Sequence, residues 1–265
     1  MAENWHGLVV GDYNAVMALP WKKKFGIRYV YTPAFIQQLG LIGYADQINW
    51  KEIIEAIKKF ISFADIHFNF LNTTIQEHIT AAKRTNLIID LNQPLETIRS
   101  RYKNDLKENI RKAETQNCRY THAEIHEAIS VYYLQYGERM SHIKNEDYNR
   151  FIQLCELLQS KGQCFVREVV NETENVLATA LFLKDDKRIY NLVNTTLPNG
   201  RDKEANHFLL DNVIAEFSGQ SLLFDFEGSE LPGVRAFYEK FGALNQPYFH
   251  YHYNGLPWPL RILKR

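Results

Sequence analysis

Residues 222–243, LLFDFEGSELPGVRAFYEKFGA, restrict the fold of this chain more than any other stretch. An apolar run, Leu222–Phe226, ends in acidic and small residues, as a buried strand does when it leaves a sheet. Pro232-Gly233 then turns the chain, and a short helix expected over 233–241 stops at Gly242. A strand, a turn carrying two carboxylates and an aromatic helix are thus set within little more than twenty positions.

The residues before it supply a sheet for that strand. Gln163–Val170, Val176–Lys184 and Ile189–Val193 read as three strands, separated by the polar turns at 171–174 and 185–187, and a helix is expected over 203–218. Further back, helices fit near 123–139 and 145–161, and a long charged helix opens after Asn92-Gln93-Pro94 and covers 95–116. The first 35 residues read as a meander of short strands at 8–10, 15–20 and 27–31. Residues 50–63 place Ile53, Ile54, Ile57, Phe60 and Ile61 on one helical face, with strands expected at 66–70 and 86–91. The expected fold class is α/β (α+β): two units, each a mixed, mostly antiparallel sheet flanked by helices, spanning 1–94 and 117–265, with 95–116 as a bridging helix.

Three antiparallel strands, a helix, a strand and a helix is the element order of the C-terminal part of a GNAT domain, and several segments resemble the FemAB-like proteins of the GNAT superfamily. The 222–243 stretch resembles their strand ending in an Asp-Phe-Glu-Gly-Ser pattern before a helix that closes on Phe-Gly-Ala. Asn206-His207-Phe208-Leu209-Leu210 resembles the start of the helix behind the donor site, and 104–116 resembles the segment between their two units. Leu19-Pro20-Trp21 and residues 33–40 resemble the opening of a bacterial subgroup of these proteins. Family members usually carry a further stretch before the strand that begins here near Leu8, so the N-terminal unit is expected to be short of a first strand and helix.

The resemblance implies transfer of an acyl or aminoacyl group to an amine acceptor, with acyl-CoA or aminoacyl-tRNA as donor substrate and a small amine or a cell-wall precursor as acceptor. Tyr238 holds the position of the tyrosine that protonates the leaving group; as a lone helical tyrosine it equally reads as a packing residue with a wet hydroxyl. Asp225 and Glu227 alternate with Phe224 and Phe226, so both are expected on one face of their strand. There they can raise one another's pKa and supply a general base, or cap backbone N–H groups around Gly228 and Ser229. The donor would lie along Asn194, Thr195 and Thr196, with Arg201, Lys203 and Asn206 beside it. This stretch departs from the glycine-rich turn with which coenzyme A-dependent members cradle pyrophosphate, because Gly200 is its one glycine. A non-catalytic binding module that keeps the fold is the competing expectation.

Composition narrows partners and compartment. Lys plus Arg and Asp plus Glu both number 31, so the basic excess of a dedicated nucleic-acid binder is lacking, although Lys22–Lys24 and residues 107–112 form local patches for tRNA or an anionic carrier. Cys118, Cys155 and Cys164 form no CxxC pair, which reads as reduced thiols. With no apolar run long enough for a membrane span and no signal-like N-terminus, the expected location is cytoplasmic. No metal ligand set is expected: His122 and His126 stand four apart on an anticipated helix without a third ligand, and the strand histidines His250 and His252 lack a carboxylate in sequence.

Overall fold

The computed structural model describes residues 2–43, 48–140, 143–228 and 230–263. The chain divides into two compact units, Asn86–Asn245 and a composite of Met1–Thr85 with Gln246–Arg265.

The composite unit begins with β1 (Asn4–Val10), β2 (Ala15–Lys24), β3 (Ile27–Tyr31) and β4 (Ile42–Gly43), followed by α1 (Trp50–Phe60), β5 (Phe63–Phe68) and β6 (Ala82–Arg84). Asn49 starts α1 by accepting the Glu52 backbone N–H at 3.4 Å, and the Glu52 carboxylate accepts from the Asn49 amide at 2.7 Å. The helix then buries Trp50, Ile53, Ile54 and Ile57, the stripe that its apolar spacing predicts. In β5 the alternation is equally plain: Ala64, Ile66 and Phe68 are buried in the core with α1, and Phe63, Asp65 and His67 face away.

The second unit runs β7 (Leu87–Asp90), α2 (Leu95–Ser100), α3 (Asn104–Thr115), β8 (Arg119–His122), α4 (Ile125–Tyr136), α5 (Asn145–Gln159), β9 (Cys164–Val170), β10 (Val176–Lys184) and β11 (Arg188–Thr196). It continues through α6 (Pro198–Asp202), α7 (Ala205–Phe217), β12 (Leu223–Asp225), α8 (Pro232–Glu239) and β13 (Leu244–Asn245). The chain then re-enters the first unit with β14 (Tyr248–Asn254) and α9 (Leu260–Leu263).

The described strands form two seven-stranded sheets, ordered β1-β2-β3-β5-β14-β6 (with β4 on β2) and β13-β7-β12-β11-β10-β9-β8. Each is antiparallel except for one parallel pair, β3 with β5 and β11 with β12. Both sheets are mixed and mostly antiparallel, as expected. The core of the second unit gathers Ala178, Ala180, Phe182, Ile189, Phe224 and Phe226 with Leu106, Ile110, Leu209, Leu210 and Val213.

Two expectations are corrected. The single helix over 95–116 is broken: Tyr102 turns into the core, and the Lys103 N–H donates 2.9 Å to the Lys240 carbonyl at the end of α8, so a tertiary partner takes the bond a continuous helix would have used. Gly242, at φ +70°, lets the two segments approach, since a Cβ there would lie 2.7 Å from the Arg101 Cβ. The division of the chain also differs from 1–94, 95–116 and 117–265. Ile98, Leu106, Ile110 and Ala113 are buried in the core of the second unit, so residues 95–116 belong to it, and β14 hydrogen-bonds into the other sheet.

Gly200 owes its identity to packing. The Leu177 carbonyl accepts the Leu197 N–H at 2.9 Å, and a Cβ on Gly200 would lie 2.0 Å from that same oxygen. Gly200→Ala therefore forces a backbone shift between α6 and β10, with an expected loss of about 2 kcal/mol in denaturant unfolding.

Candidate active site

β11 and β12 pair over three steps only, Arg188 with Leu223, Ile189 with Phe224 and Tyr190 with Asp225. β12 stops at Asp225 and β11 continues to Thr196, so residues 191–196 lack a strand on that side among the described residues. The sheet opens there, and polar side chains line the continuing strand. An extra residue in β11 helps: register passes from Leu181–Val193 to Phe182–Asn191, which leaves Leu192 unpaired. This bulge puts Asn191 and Asn194, three apart, close enough for a 3.4 Å contact between their amides.

Asp225 anchors the end of β12. It is 1% exposed and forms an ion pair with Arg188, itself buried. It also accepts the Asn86 amide at 3.1 Å and the Glu227 backbone N–H at 2.8 Å. A buried carboxylate with that many donors is held in one rotamer, and it is a structural anchor of the turn as well as a charge.

Glu227 follows in the left-handed region at φ +61°, and Gly228 continues there at +55°. A non-glycine residue in this conformation costs about 1 kcal/mol or more, which the Asp225 hydrogen bond offsets. The shared face expected from strand alternation is thus not the cause of the pairing: Glu227 lies beyond the strand, and the turn brings it beside Asp225. Burial, followed by the charge of Asp225, pushes the Glu227 carboxyl up to about 8, with Arg188 opposing.

Tyr238 projects from α8, is 8% exposed and stacks on Phe226 with centroids 4.5 Å apart. It packs into the core through this ring, with its phenol in the neighbourhood of Glu227. Burial raises its hydroxyl well above the usual range, the nearby Tyr136 and Glu227 add to the rise, and the Asn191 side chain pulls the other way.

Among the described residues, Asn191 Nδ2, Thr195 Oγ1, Thr179 Oγ1, Asn206 Oδ1 and His207 Nε2 are buried without a hydrogen-bond partner. Thr179 and Thr195 are direct cross-strand neighbours. Orphaned buried donors and acceptors are what a bound polar substrate satisfies. Thr196 is partly exposed at the end of β11. Arg201 is exposed on α6 and Lys203 partly so, and Gly200 packs against the Leu177 carbonyl. Ser229 lies outside the described residues.

Sequence reasoning missed Arg188, Asn86, Asn191 and the buried His207, whose Nδ1 pairs with Glu204 at 3.0 Å. A charge heading the otherwise apolar run Arg188-Ile189-Tyr190 was the available signal for the first. The four-residue spacing of His122 and His126 dissolves, because His122 ends β8 and His126 sits on α4, paired with Glu156 at 2.9 Å.

The fold has clear counterparts. FemX is 14% identical over 98% of this chain and 90% of its own, with a TM-score of 0.66. L-PGS from Bacillus licheniformis is 13% identical over 98% and 87%, with a TM-score of 0.54. The C-terminal domain of a protein described as a lysylphosphatidylglycerol synthetase, from Agrobacterium fabrum, is 12% identical over 98% and 86%, also with a TM-score of 0.54. No protein-family model and no curated protein matches the sequence. The chain thus has the GNAT/FemAB-like fold, as two GNAT-like units. No described helix is long and apolar enough to cross a membrane.

Two outcomes test this geometry. Arg188→Met leaves Asp225 buried without its cation and should cost about 3–5 kcal/mol in denaturant unfolding, part of it recovered by adding Asp225→Leu. Glu227 binds its proton more tightly folded than unfolded, so its favourable contribution is complete below about pH 4.5 and is lost as pH rises through about 8. Glu227→Gln should therefore gain in Tm relative to the wild type as pH goes from 5 to 9, and the gain should level off above 8.

Proposed function

We propose that the chain transfers an acyl or aminoacyl group from an ester or thioester donor to an amine, at the opening between β11 and β12. One observation carries this reading. A half-buried glutamate, Glu227, is held by the Asp225–Arg188 pair beside a buried phenol, where the sheet splays and leaves polar atoms unsatisfied. The GNAT/FemAB-like fold and its likeness to FemX and L-PGS agree with it.

In this mechanism the acceptor nitrogen attacks the donor carbonyl and forms the new C–N bond. Ionised Glu227 takes the proton that the nitrogen sheds, and Tyr238 gives its hydroxyl proton to the leaving oxygen or sulfur as the old bond breaks. A carboxyl poised at about 8 takes that proton far more readily than an ordinary glutamate. The Asn191 and Asn194 amides and the Thr195 hydroxyl stand where a donor along β11 would be held, with Thr196, Arg201, Lys203 and Asn206 as its further contacts. Gly228 would flank the acceptor.

The commitment of Gly200 to Leu177 argues for a donor other than acyl-CoA, hence for the aminoacyl-tRNA version with a small amine or cell-wall precursor as acceptor. The same observation favours a second reading, a binding module without turnover. A panel of acyl-CoAs, aminoacyl-tRNAs and amines separates the two, by ligand-induced Tm shift and by product formation. On the proposed reading the rate rises with pH through about 8, and Glu227→Gln removes that rise and lowers kcat by about 10²-fold or more. Tyr238→Phe lowers kcat with KM little changed. Ligand binding without product across the panel would favour the binding module.

A further inference from the structure

The open face of the first unit brings together three residues far apart in sequence. Asp65 and His67 stand two apart on β5, and His250 on β14 lies directly across from His67. One ligand atom from each lies within 4.8 Å of the other two. The His67 and His250 rings meet edge to face, with centroids 5.0 Å apart. We infer that Asp65, His67 and His250 form a binding site for a divalent transition-metal ion, with Zn²⁺ as its representative.

His67 is prepared for that role. Its Nδ1 lies 3.1 Å from the Gln37 carbonyl, which can only accept, so Nδ1 carries the proton and Nε2 keeps a free lone pair. A backbone carbonyl on the far ring nitrogen is how metal-ligating histidines are oriented. His250 is held in reserve: Arg84 donates to its Nδ1 at 3.2 Å, since a guanidinium cannot accept, and its Nε2–H donates to the Asp65 carboxylate. Metal entry replaces that last bond, moves the imidazole proton from Nε2 to Nδ1 and turns Arg84 away.

Two imidazoles and one carboxylate form a borderline N₂O set, suited to Zn²⁺, Co²⁺ or Fe²⁺ and poor for Mg²⁺ or Ca²⁺, which take oxygen ligands. Three protein ligands leave at least one coordination position open. Asp65 also lines a cavity of about 560 Å³ with Tyr29, Tyr31 and Phe63. An ion here would clip β14 to β5, with Asp65 shared between it and the aromatic-walled cavity.

Zn²⁺ titrated into the metal-stripped full chain should bind at one equivalent with micromolar or tighter affinity, raise Tm, and be matched by no uptake of Mg²⁺. Co²⁺ should give visible absorption bands from nitrogen and oxygen ligands. Asp65→Asn, His67→Ala and His250→Ala should each weaken Zn²⁺ by at least about tenfold and abolish the Tm rise, and His126→Ala should do neither. Asp65 has a half-exposed side chain, so Asn is tolerated there, and circular dichroism confirms folding of each variant. Absence of Zn²⁺ binding by the wild type, or unchanged binding by folded Asp65→Asn, overturns the assignment.

Discussion

A carboxylate that loses its water must find cations and donors, and at the end of β12 Asp225 meets that requirement. Asp225 ends the short strand β12, and Arg188 begins the strand beside it. Their ion pair spans the three-step parallel pairing from the first residue of β11 to the last of β12, and beyond Asp225 the pairing ends. The remaining acceptor capacity of Asp225 takes the Asn86 amide and the Glu227 N–H, which draws the chain into a left-handed turn. The position of Glu227 and the start of the segment leading to α8 follow from satisfying one buried charge, and burial followed by that charge raises the Glu227 carboxyl. Unpaired polar atoms on β11 are then the counterpart of the opening, since a strand that continues with a neighbour on one side only has groups to offer on the other.

Much of this was legible because it is local. Strand, turn and helix in 222–243 are specified by residues that touch one another within the segment, and Gly242 stops the helix where left-handed backbone is needed. The isoleucine stripe of α1 and the alternation of β5 are likewise written at periods of 3.6 and 2. Tertiary contact overrode local pattern elsewhere. The charges of 95–116 satisfy a continuous helix, yet the buried Tyr102 and the Lys103–Lys240 bond break it, and neither is visible without α8 in place.

The site was legible in part for the same reason. Glu227 and Tyr238 belong to the recognisable segment, and Asp225 stands beside them. Arg188 and Asn86 reach Asp225 from 37 and 139 positions away, so their role emerges only once the sheet is ordered. The bulge at Leu192 reassigns the faces of β11, and alternation read from sequence alone would place Asn191 and Asn194 on opposite sides. Asp65 and His250 are separated by 185 positions, which is why the strand histidines showed no acidic neighbour in the linear text.

The return of β14 has a consequence for how the protein is made. Synthesis delivers β1–β6 first, but β14 lies between β5 and β6 in the finished sheet, and it emerges only after residues 86–245. Until then the edge of β5 away from β3 has no strand beside it, and the three-residue β6 has no strand to pair with among the described residues. The second unit is contiguous and can fold on the ribosome as soon as it clears the tunnel. The order of completion is thus the reverse of the order of translation, and the exposed edges of the waiting half are the stretch of backbone most open to wrong partners in the meantime.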